Sequence, residues 1–188
     1  MRTFEEAKKL WSVENSLAGY WYPEAWKRSE RIVDLLRRFH VPYGCSITEF
    51  GVGGRRNLIA LFDAGWKTVA GYDITDRLDV FKEWWTPFCT IIIDDDPHKM
   101  PICDVCITLG TLQHVTDEQR DSVMDAITTR TSQLILICEN EIDQKSGQYA
   151  HDWIELFKQK GWSNFFWMPA HEVDGLDSHY VWRMFRRV

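Results

Sequence analysis

The stretch ITEFGVGGRRNLIALFDAGWKTVAGYD, residues 47–73, decides the fold. ITEF is a short run of strand character, GVGG is a turn, and RRNLIALFDA has helical spacing closed by Gly65. TVAGY reads as a second strand, ended by Asp73. Strand, glycine turn, helix and strand in that order form a right-handed βαβ unit with parallel strands. Glycine in the first turn permits positive φ and lets a ligand approach the backbone. The helix that follows offers unpaired N–H groups to an anionic group. Ligands of open α/β sheets bind at the carboxyl ends of strands, where the strand order reverses. A glycine-rich turn without a ligand is the competing reading of this loop on its own.

The alternation continues outward. DITDRLDVFKEWW reads as a helix with Leu78, Phe81 and Trp85 on one side, stopped by Pro87. CTIII is a third strand, running into Asp94, Asp95, Asp96 and Pro97, and VCITL is a fourth. Thr116 and Gln119 stand at capping-box spacing before a helix through Val123 and Ile127. QLILIC is a fifth strand, and HDWIELFKQK is a helix ending at Gly161. SNFFWM and HYVWRMFRR are separated only by the polar AHEVDGLDS, so they pair as an antiparallel hairpin at the sheet edge. The near-continuous apolarity of III, ITL and LILI predicts strands covered on both faces. Residues 1–40 are helical in character, with Pro23 suited to a helix start and Trp26, Ile32, Val33, Leu36 and Phe39 near helical spacing. Residues 1–188 therefore read as one α/β domain.

Composition removes other classes. No apolar run approaches the ~18–20 residues of a membrane span. MRTFEEAKKLW carries acidic residues where a signal peptide has its apolar stretch, which predicts a cytoplasmic protein. Five scattered Cys do not make a disulfide framework. Cys103 and Cys106 form a C-x-x-C, but within a strand, residues three apart point to opposite faces, so they are expected to be core residues. The net charge of −6 has the wrong sign for a strong phosphate-binding surface. Of ten Trp, seven (66, 84, 85, 153, 162, 167 and 182) fall on or beside the alternating elements, where core packing suffices. Trp11, Trp21 and Trp26 belong to the N-terminal segment.

The ligand can be narrowed. A dinucleotide fingerprint needs glycine at 56, where Arg56 stands, and no G-K-[ST] follows the loop. Asp73 lies 22 positions after Gly51, near the offset at which an acidic side chain takes ribose hydroxyls. These features point to a nucleoside. EFGVGGRRNLIALFDAGWKTVAGYDIT resembles the nucleoside-binding segment of class I S-adenosylmethionine-dependent methyltransferases, and GTLQHV at 110–115 resembles their stretch after strand four. The resemblance runs from about Ser46 to Gly161 and implies a Rossmann-like seven-stranded sheet, order 3-2-1-4-5-7-6, with strand 7 antiparallel. It departs at Arg55, where the family often has a third glycine.

The resemblance implies S-adenosyl-L-methionine as cofactor and assigns roles. Gly51 and Gly53 would approach its methionine portion, and Glu49 would orient its ammonium. Asp73 would take the ribose hydroxyls, Ile74 would pack on the adenine face, and Leu109 would contact the cofactor. Asp95 would accept from the adenine amino group and the Asp96 N–H would donate to the ring, because Pro97 leaves Asp96 without a following donor. A solvated acidic turn, or a metal site, are other readings of those aspartates. His114 is either a general base or a loop histidine bonded to backbone. Residues 1–40 would cover the cofactor and acceptor site, with Trp21 and Tyr22 stacking on the acceptor or packing on the sheet.

The acceptor is narrowed by absence. After strand four the chain has neither an Asn/Asp-Pro-Pro-aromatic stretch nor a Pro-Cys, the marks of nucleic-acid base methylation in the family. A small-molecule acceptor, a sugar or metabolite oxygen or nitrogen, is expected. The alternative from another class is a non-catalytic nucleoside-binding or scaffold protein.

Overall fold

The computed structural model describes residues 5, 23–75, 88–140, 151–170 and 179–188. At its centre lies β1 (Ile47–Phe50), all four residues buried. β1 pairs in parallel with β2 (Val69–Asp73) on one side and with β4 (Cys103–Leu109) on the other. β3 (Thr90–Ile93) pairs with β2, and β5 (Thr131–Asn140) pairs with β4, both in parallel. β7 (Tyr180–Arg187) runs antiparallel between β5 and the edge strand β6 (Trp162–Pro169). The sheet order is therefore β3-β2-β1-β4-β5-β7-β6. Strand order reverses between β1 and β4, so the loops leaving their carboxyl ends diverge and open a crevice.

Each face of the sheet carries its own core layer. α1 (Pro23–Arg38) and α2 (Arg56–Ala64) cover one face, placing Ile32, Leu35, Leu36, Leu58 and Leu61 against Ile47, Val105, Ile107, Leu136 and Trp182. α3 (Asp117–Arg130) and α4 (Trp153–Gln159) cover the other, with Val123, Ile127, Trp153 and Phe157 against Tyr72, Ile135, Ile137 and Phe185. β5 shows how its apolar run serves both layers, with Leu134 and Leu136 on one face and Ile135 and Ile137 on the other. Each such fully buried aliphatic side chain contributes about 1.5–3 kcal/mol.

α1 begins at Pro23, as its fixed φ favours, and its last turn carries Arg37 and Arg38. It ends in a Schellman turn. His40 N–H donates to Arg37 O and Val41 N–H to Leu36 O, with His40 at φ 56 in the left-handed region that favours glycine. α3 starts after Thr116 as expected, yet the capping box does not form, because the Thr116 hydroxyl donates to the Gln119 side chain instead of accepting from backbone.

β3 lies at the sheet edge: Ile91 packs against the first core layer and Ile92 against the second, both partly buried, while Ile93 is exposed. Two expectations are corrected. Trp167 is 62% exposed, because it lies on the outer edge strand β6. Cys103 and Cys106 lie in the same core layer, not on opposite faces. The ladder shifts register between Cys103 and Val105, and the N–H groups of Asp104 and Val105 both donate to Ser46 O. That irregularity resets the alternation by one residue. Burial pushes both thiols above their ordinary range, which leaves them as unreactive core residues. Most of the helix expected over 73–85 and most of residues 1–22 lie outside the described residues. Among the described residues no helix is long and apolar enough to cross a membrane.

Candidate functional site

β1 is followed by Gly51 at φ 78, a conformation open to glycine, and Gly51 N–H donates to Tyr72 O at 2.8 Å. A Cβ there would stand 2.2 Å from the Thr111 side chain, so the loop after β4 is pressed directly onto the loop after β1. Gly53 follows at φ 47, with its N–H donating to Asp73 Oδ2 at 2.9 Å. Arg55, where the family often has glycine, adopts φ 62 and is 5% exposed. The left-handed turn is thus kept without the glycine, and the guanidinium-bearing chain is packed into the start of α2.

Glu49 is the most perturbed group of this loop. It is 2% exposed, and burial pushes its carboxyl up to about 8, against the lowering influence of Asn57 and Arg56. Asn57 Nδ2 donates to Oε1 at 2.5 Å. Oε2 is fully buried and finds no hydrogen-bond partner among the described residues. Such an oxygen is costly to bury unless a ligand completes it.

Asp73, at the end of β2, accepts from Gly53 N–H through Oδ2 and from the Thr75 N–H and hydroxyl through Oδ1. It therefore ties the two loops together, and Oδ2 keeps a lone pair for a further donor. Ile74 beside it is half-buried against the second core layer. At the end of β3, Asp95 and Asp96 are exposed. Asp96 N–H donates to Asp94 Oδ1 at 2.8 Å, and Asp96 Oδ1 accepts from His98 N–H, which starts a short 3₁₀ turn. Among the described residues no group of His, Cys, Asp and Glu is arranged to hold a metal ion.

Across the crevice, Leu109 ends β4 half-buried, and a 3₁₀ turn of Leu112–His114 follows. Its anchor is Glu139, at the end of β5, which the sequence reading missed. Glu139 is fully buried, and burial pushes its carboxyl up to about 7. It accepts from the Thr108 hydroxyl at 2.9 Å and from the N–H groups of Thr111 and Gln113 at 3.2 Å each. An acidic residue closing the apolar run LILIC was the available signal, the same one that marks Glu49 on β1. Gln113 Oε1 accepts from Asn140 N–H, which fixes the amide so that Nε2 is the donating end. Nε2 faces Tyr180 Oη at 2.8 Å, His114 Nε2 at 3.2 Å and Gly110 O at 3.3 Å.

The structure thus gathers Glu49, Gly51, Gly53, Asp73 and Ile74 on the β1–β2 side of the crevice, and Leu109 and His114 on the β4 side. Asp95 and Asp96 stand at the end of β3. Trp21 and Tyr22 lie outside the described residues.

In sequence, the chain matches no protein-family profile and no curated protein. In structure it is similar to the 1,6-didemethyltoxoflavin-N1-methyltransferase of Burkholderia thailandensis, solved with bound 1,6-didemethyltoxoflavin and S-adenosylhomocysteine. The TM-score is 0.72 at 13% identity, over 97% of this chain and 87% of that one. It is similar to the N-methyltransferase NodS of Bradyrhizobium japonicum WM9 with S-adenosylhomocysteine, at TM-score 0.70 and 11% identity, over 98% and 97%. It is also similar to the magnesium protoporphyrin IX methyltransferase of Synechocystis PCC 6803 with S-adenosylhomocysteine, at TM-score 0.69 and 15% identity, over 88% and 84%. The chain has the Rossmann-like fold of the class I S-adenosylmethionine-dependent methyltransferases.

Proposed function

We propose that the protein is an S-adenosylmethionine-dependent methyltransferase whose acceptor is a small molecule, a sugar or metabolite oxygen or nitrogen. The observation that carries this reading is the buried, unpartnered Oε2 of Glu49 beside the Gly51–Gly53 turn. An ammonium brings a charge and hydrogen-bond donors, and this oxygen accepts no hydrogen bond among the described residues. The residues present therefore fit the cofactor's amino-acid end. Gly51 and Gly53 would lie along it, Asp73 would take the ribose hydroxyls with the free lone pair of Oδ2, and Ile74 and Leu109 would flank the adenosyl group. Asp95 would accept from the adenine amino group. The Asp96 N–H would reach the ring by exchanging its bond to Asp94 for one to a ring nitrogen.

When bound, the sulfonium supplies an electrophilic methyl group. The protein's task is then to hold an acceptor atom in line with it and exclude water. His114 is the proposed base for an acceptor that carries a proton. Gln113 Nε2 stands 3.2 Å from His114 Nε2 and is itself held by Tyr180 and Gly110, so it would orient the imidazole. Trp21 and Tyr22 are proposed to line the acceptor pocket. The net charge of −6 supports a small molecule over nucleic acid, and the free cysteines suit a cytoplasmic location.

Screening oxygen- and nitrogen-bearing metabolites for S-adenosylhomocysteine release tests the reading. Turnover on one of them is the expected result. Adenosyl-ligand binding without turnover on any acceptor would favour a non-catalytic nucleoside-binding or scaffold role.

A further inference from the structure

Glu49 does not stand alone. A buried chain of hydrogen bonds runs to it from the N-terminal helix. Arg56 Nε donates to Ser29 Oγ at 2.8 Å, the Ser29 hydroxyl donates to Asn57 Oδ1 at 2.6 Å, and Asn57 Nδ2 donates to Glu49 Oε1 at 2.5 Å. Ser29 on α1 is fully buried, and Asn57 and Arg56 on α2 are 5% and 6% exposed. Every donor in the chain points toward the carboxylate, so the bonds polarise one another in the same sense. A carboxylate held on one oxygen by an amide whose own orientation is fixed has little freedom to turn.

We propose that Ser29 and Asn57 are positioning residues for cofactor binding, holding Glu49 so that Oε2 meets the ammonium of the cofactor's amino-acid portion. This rests on the methyltransferase reading and adds α1 to the site. Ser29 acts by fixing which end of the Asn57 amide faces Glu49. Without the Ser29 hydroxyl, Asn57 Oδ1 loses its donor and the amide loses what orients it. Without Asn57, the Glu49 side chain loses its side-chain anchor and its carboxylate becomes harder to ionise.

The test compares two ligands that share a nucleoside. S-adenosylhomocysteine carries the amino-acid portion, and 5′-methylthioadenosine lacks it. Their affinities are measured by calorimetry for the wild type and for Ser29→Ala, Ser29→Thr and Asn57→Leu. Ser29→Ala is expected to weaken S-adenosylhomocysteine about 5-fold and Asn57→Leu about 20-fold, with methylthioadenosine within 2-fold of wild type throughout. Ser29→Thr keeps the hydroxyl and is expected to restore most of the affinity. Equal weakening of both ligands would assign the pair to folding alone and overturn the proposal. Unchanged affinity for S-adenosylhomocysteine would also overturn it while leaving the methyltransferase reading in place. A wild type that binds neither ligand would overturn both.

Discussion

Replacing Glu49 by glutamine removes the ionisation of this carboxyl while nearly preserving its shape. In the unfolded chain the group titrates at its ordinary 4.5, whereas burial in the native protein pushes it up to about 8. As pH rises from 4.5, the unfolded chain releases this proton before the folded one does. The raised group therefore stabilises the fold at low pH, and that contribution is lost as pH climbs through 8. At 1.36 kcal/mol per pH unit of displacement, the full loss is about 4–5 kcal/mol. Glutamine has no such loss. The amide nitrogen of the introduced glutamine would be left without an acceptor where Oε2 now lies, which costs about 1–3 kcal/mol at every pH. The stability of Glu49→Gln relative to wild type is thus expected to rise by about 4 kcal/mol between pH 5 and pH 8.5. For a protein of this size that corresponds to a relative gain of about 10 °C in Tm. Thermal unfolding of both proteins at pH 5, 6, 7 and 8.5, followed by tryptophan fluorescence, measures it. A difference in Tm that stays constant across this range would refute the assignment of Glu49 as a buried, raised carboxyl.

Other substitutions separate the remaining roles. Asp73→Ala should weaken S-adenosylhomocysteine and S-adenosylmethionine about 100-fold in calorimetric titrations, since it would remove the proposed bonds to ribose together with the tie to Gly53; unchanged affinity would refute the ribose assignment. His114→Ala should lower kcat at least ~100-fold on an acceptor that carries a proton, with S-adenosylhomocysteine affinity within about 3-fold of wild type. Loss of that affinity instead would make His114 a structural part of the loop. His40→Gly should raise stability by about 0.5–1 kcal/mol in urea unfolding, because glycine adopts the left-handed C-terminal position of α1 without the strain of a side chain.

Much of the fold is carried by local signals. Each strand has its own apolar run, each crossover helix its own period, and the glycine turn after β1 marks where the crevice opens. These features depend on neighbours in sequence, which is why the strand–helix alternation and the glycine turn after β1 could be read directly, while the strand order was implied by the family resemblance. What escaped reading depends on distant partners. The Cys103–Cys106 alternation is reset where Asp104 and Val105 share Ser46, 58 residues from Asp104, which no strand pattern encodes. The exposure of Trp167 follows from β6 lying at the sheet edge, since the strand's own sequence is as aromatic as an inner one. Ser29 and Asn57, 28 residues apart, look like ordinary polar helix positions until α1 packs on α2 and joins them to Glu49. Glu139 differs, since an acidic residue closing an apolar strand was visible in the sequence, and its three hydrogen bonds to the 108–113 stretch explain why it is there.

What the crevice binds decides most directly what this protein does. Calorimetric titration of the wild type with S-adenosylhomocysteine at pH 7, repeated in two buffers of different ionisation enthalpy, reads both binding and proton exchange. With its carboxyl raised to about 8, Glu49 is largely protonated in the free protein at this pH, and an ammonium ligand draws out the ionised form. The predicted result is one-to-one binding with release of close to one proton per site, and no binding of NAD under the same conditions. Binding of NAD with none of S-adenosylhomocysteine would contradict the account.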